Sequence, residues 1–157
     1  MKPKVYLETT IPSYLTARPS RDLVTAAHQQ ITREWWDTRR HVFDLFVSQM
    51  VIDEASAGDP EAATRRLEVV ASLPLLDPQA EGIALAQMLI DHIPLPARVA
   101  ADALHIAAAV VNGMDYLLTW NCTHIANAAL RGRIEAACHS RGFSVPIICT
   151  PEELLEA

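Results

Sequence analysis

Five short runs of apolar and β-branched residues, at 4–8, 42–48, 74–77, 116–120 and 145–149, punctuate a chain whose other apolar positions recur at helical spacing. The first run, Lys4-Val5-Tyr6-Leu7-Glu8, stops at Thr9-Thr10, and Pro12 cannot continue a central ladder, so a loop is expected to follow. Ser20 is placed to cap a helix over 21–38 with Leu23, Ala26, Ala27, Ile31 and Trp35 on its apolar face. Trp36 falls on the polar side with Thr25, Gln29 and Thr32, either to contact a partner or base or to fold over a neighbouring apolar edge. A helical turn is expected at 51–57, and Asp59-Pro60 opens a helix over 61–72 whose Arg65-Arg66 pair reads as a solvated face. Helices follow over 78–91 and 127–141, and Thr150-Pro151-Glu152-Glu153 has the form of a capping box on a terminal helix.

The segment 101–113 stands apart. Alanine and leucine dominate it, Asn112-Gly113 supplies a left-handed stop, and almost every side chain after Asp102 is apolar, so the helix is expected to be buried on most sides. A carboxylate near the start of such a helix is costly unless it is paired, hydrogen-bonded or bound to a cation.

Five short strands separated by helices predict a parallel α/β/α sandwich in a single domain spanning residues 1–157. Ligands of such sheets bind outside the carboxyl ends of the strands. That rule brings Glu8, Glu54, Asp102 and the loop beginning at Asn121 to one edge, although they are far apart in the chain.

Composition narrows the chemistry. Half of the 157 residues are hydrophobic and the net charge is −6, which argues against a protein that coats nucleic acid by bulk electrostatics. It does not exclude a nuclease, because acids gathered around a divalent ion contribute to that total. Cys122, Cys138 and Cys149 lack metal-ligand spacing and read as reduced thiols. Without a signal-peptide pattern or a membrane-length apolar run, a cytoplasmic protein is expected.

Carboxylates that share a site raise one another's pKa unless a cation compensates them. An all-oxygen set suits Mg²⁺ or Mn²⁺, which keep waters and accept phosphate oxygens, and points to hydrolysis of a phosphodiester by a metal-activated water. The sequence has no Walker or dinucleotide glycine pattern. Each acid also has a plain structural reading. Glu8 can accept from the Thr9 and Thr10 amides, Glu54 and Asp53 can cap a helical turn, and Asp102 can pair with Arg98 one turn earlier.

These residues resemble the PIN-domain ribonucleases, and within them the VapC-like toxins of type II toxin–antitoxin systems, over nearly the whole chain. Val5-Tyr6-Leu7-Glu8-Thr9-Thr10 is similar to the family's opening strand, with glutamate in place of its aspartate. Glu54-Ala55-Ser56-Ala57-Gly58 matches its Glu-x-x-x-Gly segment, and Asp102-Ala103-Leu104-His105-Ile106-Ala107-Ala108 is similar to its Asp-Ala-x-x-Ala-Ala helix. Thr119-Trp120-Asn121 resembles the strand end that carries its fourth polar position.

The resemblance implies a PIN-like fold and cleavage of RNA dependent on Mg²⁺ or Mn²⁺, leaving a 5′-phosphate. Glu8, Glu54 and Asp102 would be the metal ligands, supplemented by Asn121. It also implies a homodimer and a cognate antitoxin that fills the acidic groove. Two departures accompany it: Glu8 is one methylene longer than the usual aspartate, and the fourth acid is absent, with Asn121 neutral and His124 where many relatives carry an aspartate. Asn121 would offer its carbonyl oxygen or orient a water. His124 is either a phosphate contact or proton donor, or a plain loop histidine. His105, three residues beyond Asp102, either supports that carboxylate or is a satisfied core histidine. Thr10 and Thr119 are expected to hydrogen-bond the acids, and Arg98, Arg39 and Arg40 to meet RNA phosphates. Two other functions fit the same residues: a PIN-fold module that binds RNA or an antitoxin with weakened or lost catalysis, and a metal-dependent hydrolase of a small phosphoester.

Overall fold

A computed structural model describes residues 1–93 and 100–156. In chain order the elements are β1 (Lys4–Leu7), α1 (Thr10–Thr16), α2 (Leu23–Arg39), β2 (Asp44–Ser48), α3 (Gln49–Ala55), α4 (Pro60–Val70) and β3 (Leu75–Leu76), followed by α5 (Gln79–His92), α6 (Ala100–Val111), β4 (Tyr116–Leu118), α7 (Ala128–Ser140) and β5 (Ile147–Cys149). Short 3-10 turns at Arg40–Val42 and Pro151–Leu154 complete the described elements.

All pairings are parallel, in the order β3-β2-β1-β4-β5. The chain builds outward from β1 in one direction through β2 and β3, then crosses back to build β4 and β5. Right-handed crossovers put the helices of the two halves on opposite faces. Accordingly α1 packs on α2 and α4, whereas α5 packs on α6 and α7. The order reverses between β1 and β4, and the crevice that forms at such a reversal lies outside their carboxyl ends. Val5, Tyr6, Leu7, Leu117 and Leu118 have no exposure, as expected of central strands covered on both sides.

The five strands and the 101–111 helix agree with the patterning, and Gly113 (φ +66°) adopts the left-handed conformation expected after α6. Asp59 caps α4 by accepting from the Ala62 amide, as expected. Three expectations need correction. The segment after Glu8 is helix α1, not loop; Pro12 falls in its first turn, where amides have no intrahelical partner to lose. The cap of α2 is Asp22, which accepts from the Thr25 amide at 2.9 Å, while Ser20 accepts from the Asp22 amide before it. The inward face of α2 carries Gln29, Thr32 and Trp35, and Leu23 is 85% exposed. Burial of Gln29 and Thr32 is possible because both are satisfied: Gln29 bridges the Ser20 amide and the Arg18 carbonyl, and Thr32 accepts from the Trp120 indole N–H. Trp36 folds against the core with the Arg40 guanidinium 5.1 Å from its ring, the plain reading of the two. Among the described residues no helix is long and apolar enough to cross a membrane.

Candidate functional site

Glu8 directly follows β1, and its amide donates to the Leu118 carbonyl across the switch point. Its side chain is 4% exposed. Oε1 accepts three bonds: from the Thr10 amide at 3.1 Å, the Thr10 hydroxyl at 2.5 Å and the Thr119 hydroxyl at 2.7 Å. Thr10 and Thr119 therefore support this acid, as anticipated, and both carry the network onward. The Trp120 amide donates to Thr10 Oγ1 and the Asn121 amide donates to Thr119 Oγ1, each at 2.9 Å. Two threonines thus stitch the ends of β1 and β4 together around one carboxylate oxygen.

Glu54 reaches the same edge from α3. Its Oε1 accepts from the Thr9 hydroxyl and from His105 Nε2, both at 2.6 Å. Half-burial acts to raise this carboxyl, but the hydrogen bonds from His105 and Thr9 outweigh it and hold the group below its ordinary value. Of the two readings of His105, the satisfied core histidine holds, and its carboxylate partner is Glu54 instead of Asp102. A step of three residues on a helix turns about 300°, so the two side chains diverge by roughly 60°. Asp102 turns toward β4 and His105 toward β1 and β2. The Thr9 hydroxyl, not its amide, is the used group, and it serves Glu54 instead of Glu8.

Asp102 lies in the first turn of α6, where a negative charge is favoured by the helix dipole. Its side chain is 17% exposed and both oxygens are engaged: Asn121 Nδ2 donates to Oδ1 at 3.2 Å, and His124 Nδ1 lies 3.2 Å from Oδ2. Of the three ways the sequence left for this carboxylate to be accommodated, hydrogen bonding and pairing are the ones seen. Asn121 Oδ1 accepts from the His124 amide at 3.0 Å; because an amide can only donate, the carboxamide orientation is fixed with its nitrogen toward Asp102. One lone pair of the carbonyl oxygen that was expected to serve a metal or to orient a water is thus taken by the loop.

Arg98 lies outside the described residues. Arg39 and Arg40 precede β2 and stand at the amino edge of the sheet, opposite the acids, because that strand runs from Asp44 toward Ser48. They are not placed to meet a ligand at the carboxyl edge.

Two participants were missed. Tyr6 donates or accepts at 2.6 Å from His105 Nδ1, and Ser48 Oγ lies 2.8 Å from the same phenol. The available signal was a tyrosine in an otherwise apolar central strand, whose buried hydroxyl needs a partner.

The donor set is all oxygen. Among the described residues no hydrogen bond reaches Oε2 of Glu8 or Oε2 of Glu54, so each acid is held by one oxygen and keeps the other. That chemistry fits a hard divalent ion that retains most of its waters. It does not make a closed cage: among the described residues no three His, Cys, Asp or Glu side chains gather tightly enough to hold a metal ion.

No family model matches the chain, and no curated protein matches it. Among solved structures it is similar to a chain of the crystal structure of VapBC2 from Rickettsia felis bound to a DNA fragment from their promoter. The identity is 14%, the alignment covers 94% of this chain and 98% of that one, and the TM-score is 0.55. At that identity the likeness is one of fold, and it agrees with the five-stranded parallel sheet. The chain has the PIN-like α/β/α fold that the segments around Glu8, Glu54 and Asp102 resemble.

Proposed function

We propose that this chain is a metal-dependent endoribonuclease of the VapC type, with Glu8, Glu54 and Asp102 as the acids of its site. One observation carries the reading: acids from three distant segments lie along the carboxyl edge around the switch point of a parallel sheet, and among the described residues no hydrogen bond reaches Oε2 of Glu8 or of Glu54. Glu8 and Glu54 would hold Mg²⁺ or Mn²⁺, with Asp102 joining through either oxygen. Such an ion supplies a water of lowered pKa and neutralises phosphate charge. The chain's own contribution is orientation: Thr10 and Thr119 fix Glu8, and Asn121 fixes Asp102. A cognate antitoxin belongs to the same proposal, supported by the similar fold in the VapBC2 complex, and so does an RNA substrate, which rests on the resemblance of the acid-bearing segments. RNA cleavage with and without Mg²⁺ or Mn²⁺, alongside Asp102→Asn, is the test. Cleavage should need the ion and be abolished in the folded variant. An inert wild type with every metal and RNA tried, or a variant as active as wild type, ends the reading.

A second reading has its own observation. Asp102 is occupied by His124 and Asn121, and the Asn121 oxygen is turned away, as would suit a binding module with lost catalysis. Calorimetry that finds tight binding to an antitoxin-like partner and no heat with millimolar Mg²⁺ would favour it.

A further inference from the structure

Glu8 is fixed by residues beside it at the strand ends, but Glu54 is fixed from inside the core. Ser48 (2% exposed), Tyr6 (0%) and His105 (0%) form a continuous line to it. The line runs from Ser48 Oγ to the Tyr6 hydroxyl (2.8 Å), on to His105 Nδ1 (2.6 Å), and from His105 Nε2 to Glu54 Oε1 (2.6 Å). Threading polar groups through an alanine-rich helix and a central strand incurs desolvation that apolar side chains of the same size would avoid. Packing therefore does not explain the line, whereas its end point does.

The two ends set its direction. Glu54 Oε1 already accepts from the Thr9 hydroxyl, and a carboxylate oxygen has no proton to give. The Tyr6 phenol has no exposure and carries its proton at neutral pH, as a tyrosine does. With a neutral imidazole, the arrangement that satisfies every atom has Ser48 donating to Tyr6, Tyr6 donating to His105 Nδ1, and Nε2–H donating to Glu54.

We propose that His105 is a positioning residue for Glu54: Ser48 and Tyr6 impose its Nε2–H tautomer, and the resulting bond to Oε1 presents Oε2 to a hard divalent cation at the sheet edge. The cation part of this proposal rests on the nuclease reading above; the tautomer part does not.

Two measurements separate them. Ring-¹⁵N histidine NMR of the metal-free protein should show His105 protonated at Nε2 and bare at Nδ1, with the Nδ1 signal shifted by Tyr6→Phe and the Nε2 signal by Glu54→Gln. A ring bare at Nε2, protonated at both nitrogens, or indifferent to both substitutions overturns the proposal whatever the metal result. Affinity for Mn²⁺ alone, read by water-proton relaxation, should fall about tenfold in His105→Leu, equivalent to about 1.4 kcal/mol. It should return to within about threefold in His105→Gln, whose amide N–H can replace Nε2–H. Thermal melts of both variants establish that they are folded. Equal affinities in the two variants make His105 purely structural. A wild type that binds no Mn²⁺ while showing the expected ring signals ends the nuclease reading and the cation part, and leaves the relay standing.

Discussion

Glu54 and Asp102 each meet a histidine across the same crevice, at 2.6 Å for His105 and 3.2 Å for His124. His105 has no exposure and both of its nitrogens are engaged, whereas the His124 side chain is 23% exposed and is held by a loop. One pair is wired into the sheet through Tyr6 and Ser48; the other closes on itself through Asn121. The difference shows how the same two functional groups take different roles. A histidine with no exposure and both nitrogens bonded sets orientation and is expensive to lose, even beside a carboxylate whose side chain is 37% exposed. A partly exposed histidine held on a loop contributes less to stability and yields more readily to a ligand. The Glu54 side is therefore the fixed wall of the site and the Asp102 side its adjustable one.

The sharpest way to break the contrast is His105→Leu. It leaves the buried Tyr6 hydroxyl, still bonded to Ser48, without its His105 partner and removes a charge-assisted bond from Glu54, at an expected cost of about 2–3 kcal/mol. Urea denaturation at neutral pH measures it. A loss no greater than that of an exposed-loop substitution would mean that the line through Tyr6 is energetically idle, and the two pairs would then be equivalent.

Why this wall escaped the sequence while the acids did not follows from what each residue announces. Glu8, Glu54 and Asp102 stand out because charge is unusual at strand ends and at the head of an apolar helix, and parallel-sheet geometry then places them. Tyr6 and Ser48 announce nothing, since a tyrosine suits a strand and a serine suits a strand end. Only the pairing register, with Tyr6 opposite Phe46 and Ser48 two residues on, brings the hydroxyls together. His105 was legible as a core histidine but not by partner, because three residues along a helix separate two directions. Similarly, Gln29 and Thr32 were assigned to a solvent face because their hydrogen-bond partners, the Arg18–Ser20 backbone and Trp120, come from outside the helix. Helix α1 was lost to Pro12, which forbids a helix interior but not a first turn.

Acid should erase the contrast more gently. Because the Glu54 carboxyl lies lower in the folded protein than its ordinary value of 4.5, it binds protons less readily folded than unfolded. Its contribution is thus complete above that value and disappears as pH falls through the folded pKa. Chelated protein titrated downward from pH 4.5 should lose stability relative to Glu54→Gln, and the two curves should converge at the acid end. Partial exposure makes this effect smaller than that of His105→Leu. Parallel curves throughout would mean that Glu54 gains nothing from His105 and Thr9. Smaller still is His124→Ala, expected to change stability by less than about 1 kcal/mol because its contact with Asp102 is longer, at 3.2 Å, and its ring is partly exposed. A loss comparable to that of His105→Leu would reverse the assignment of fixed and adjustable walls.

The mildest probe is already in the adjustable wall. Cys122 is exposed between Asn121 and His124, while Cys138 and Cys149 are buried and burial pushes their thiols up to about 11 and about 12. Only a thiolate alkylates efficiently, so iodoacetamide at mildly alkaline pH should add a single label to the folded chain, at Cys122. The Cys122 amide donates to the Trp120 carbonyl and its side chain makes none of the bonds that hold Glu8 or Glu54, so the adduct should leave stability within about 0.5 kcal/mol of the parent. Ring-¹⁵N spectra of the adduct should then move His124 and leave His105 in place. If both rings move together, the loop and the buried line are mechanically coupled, and the site has one wall instead of two.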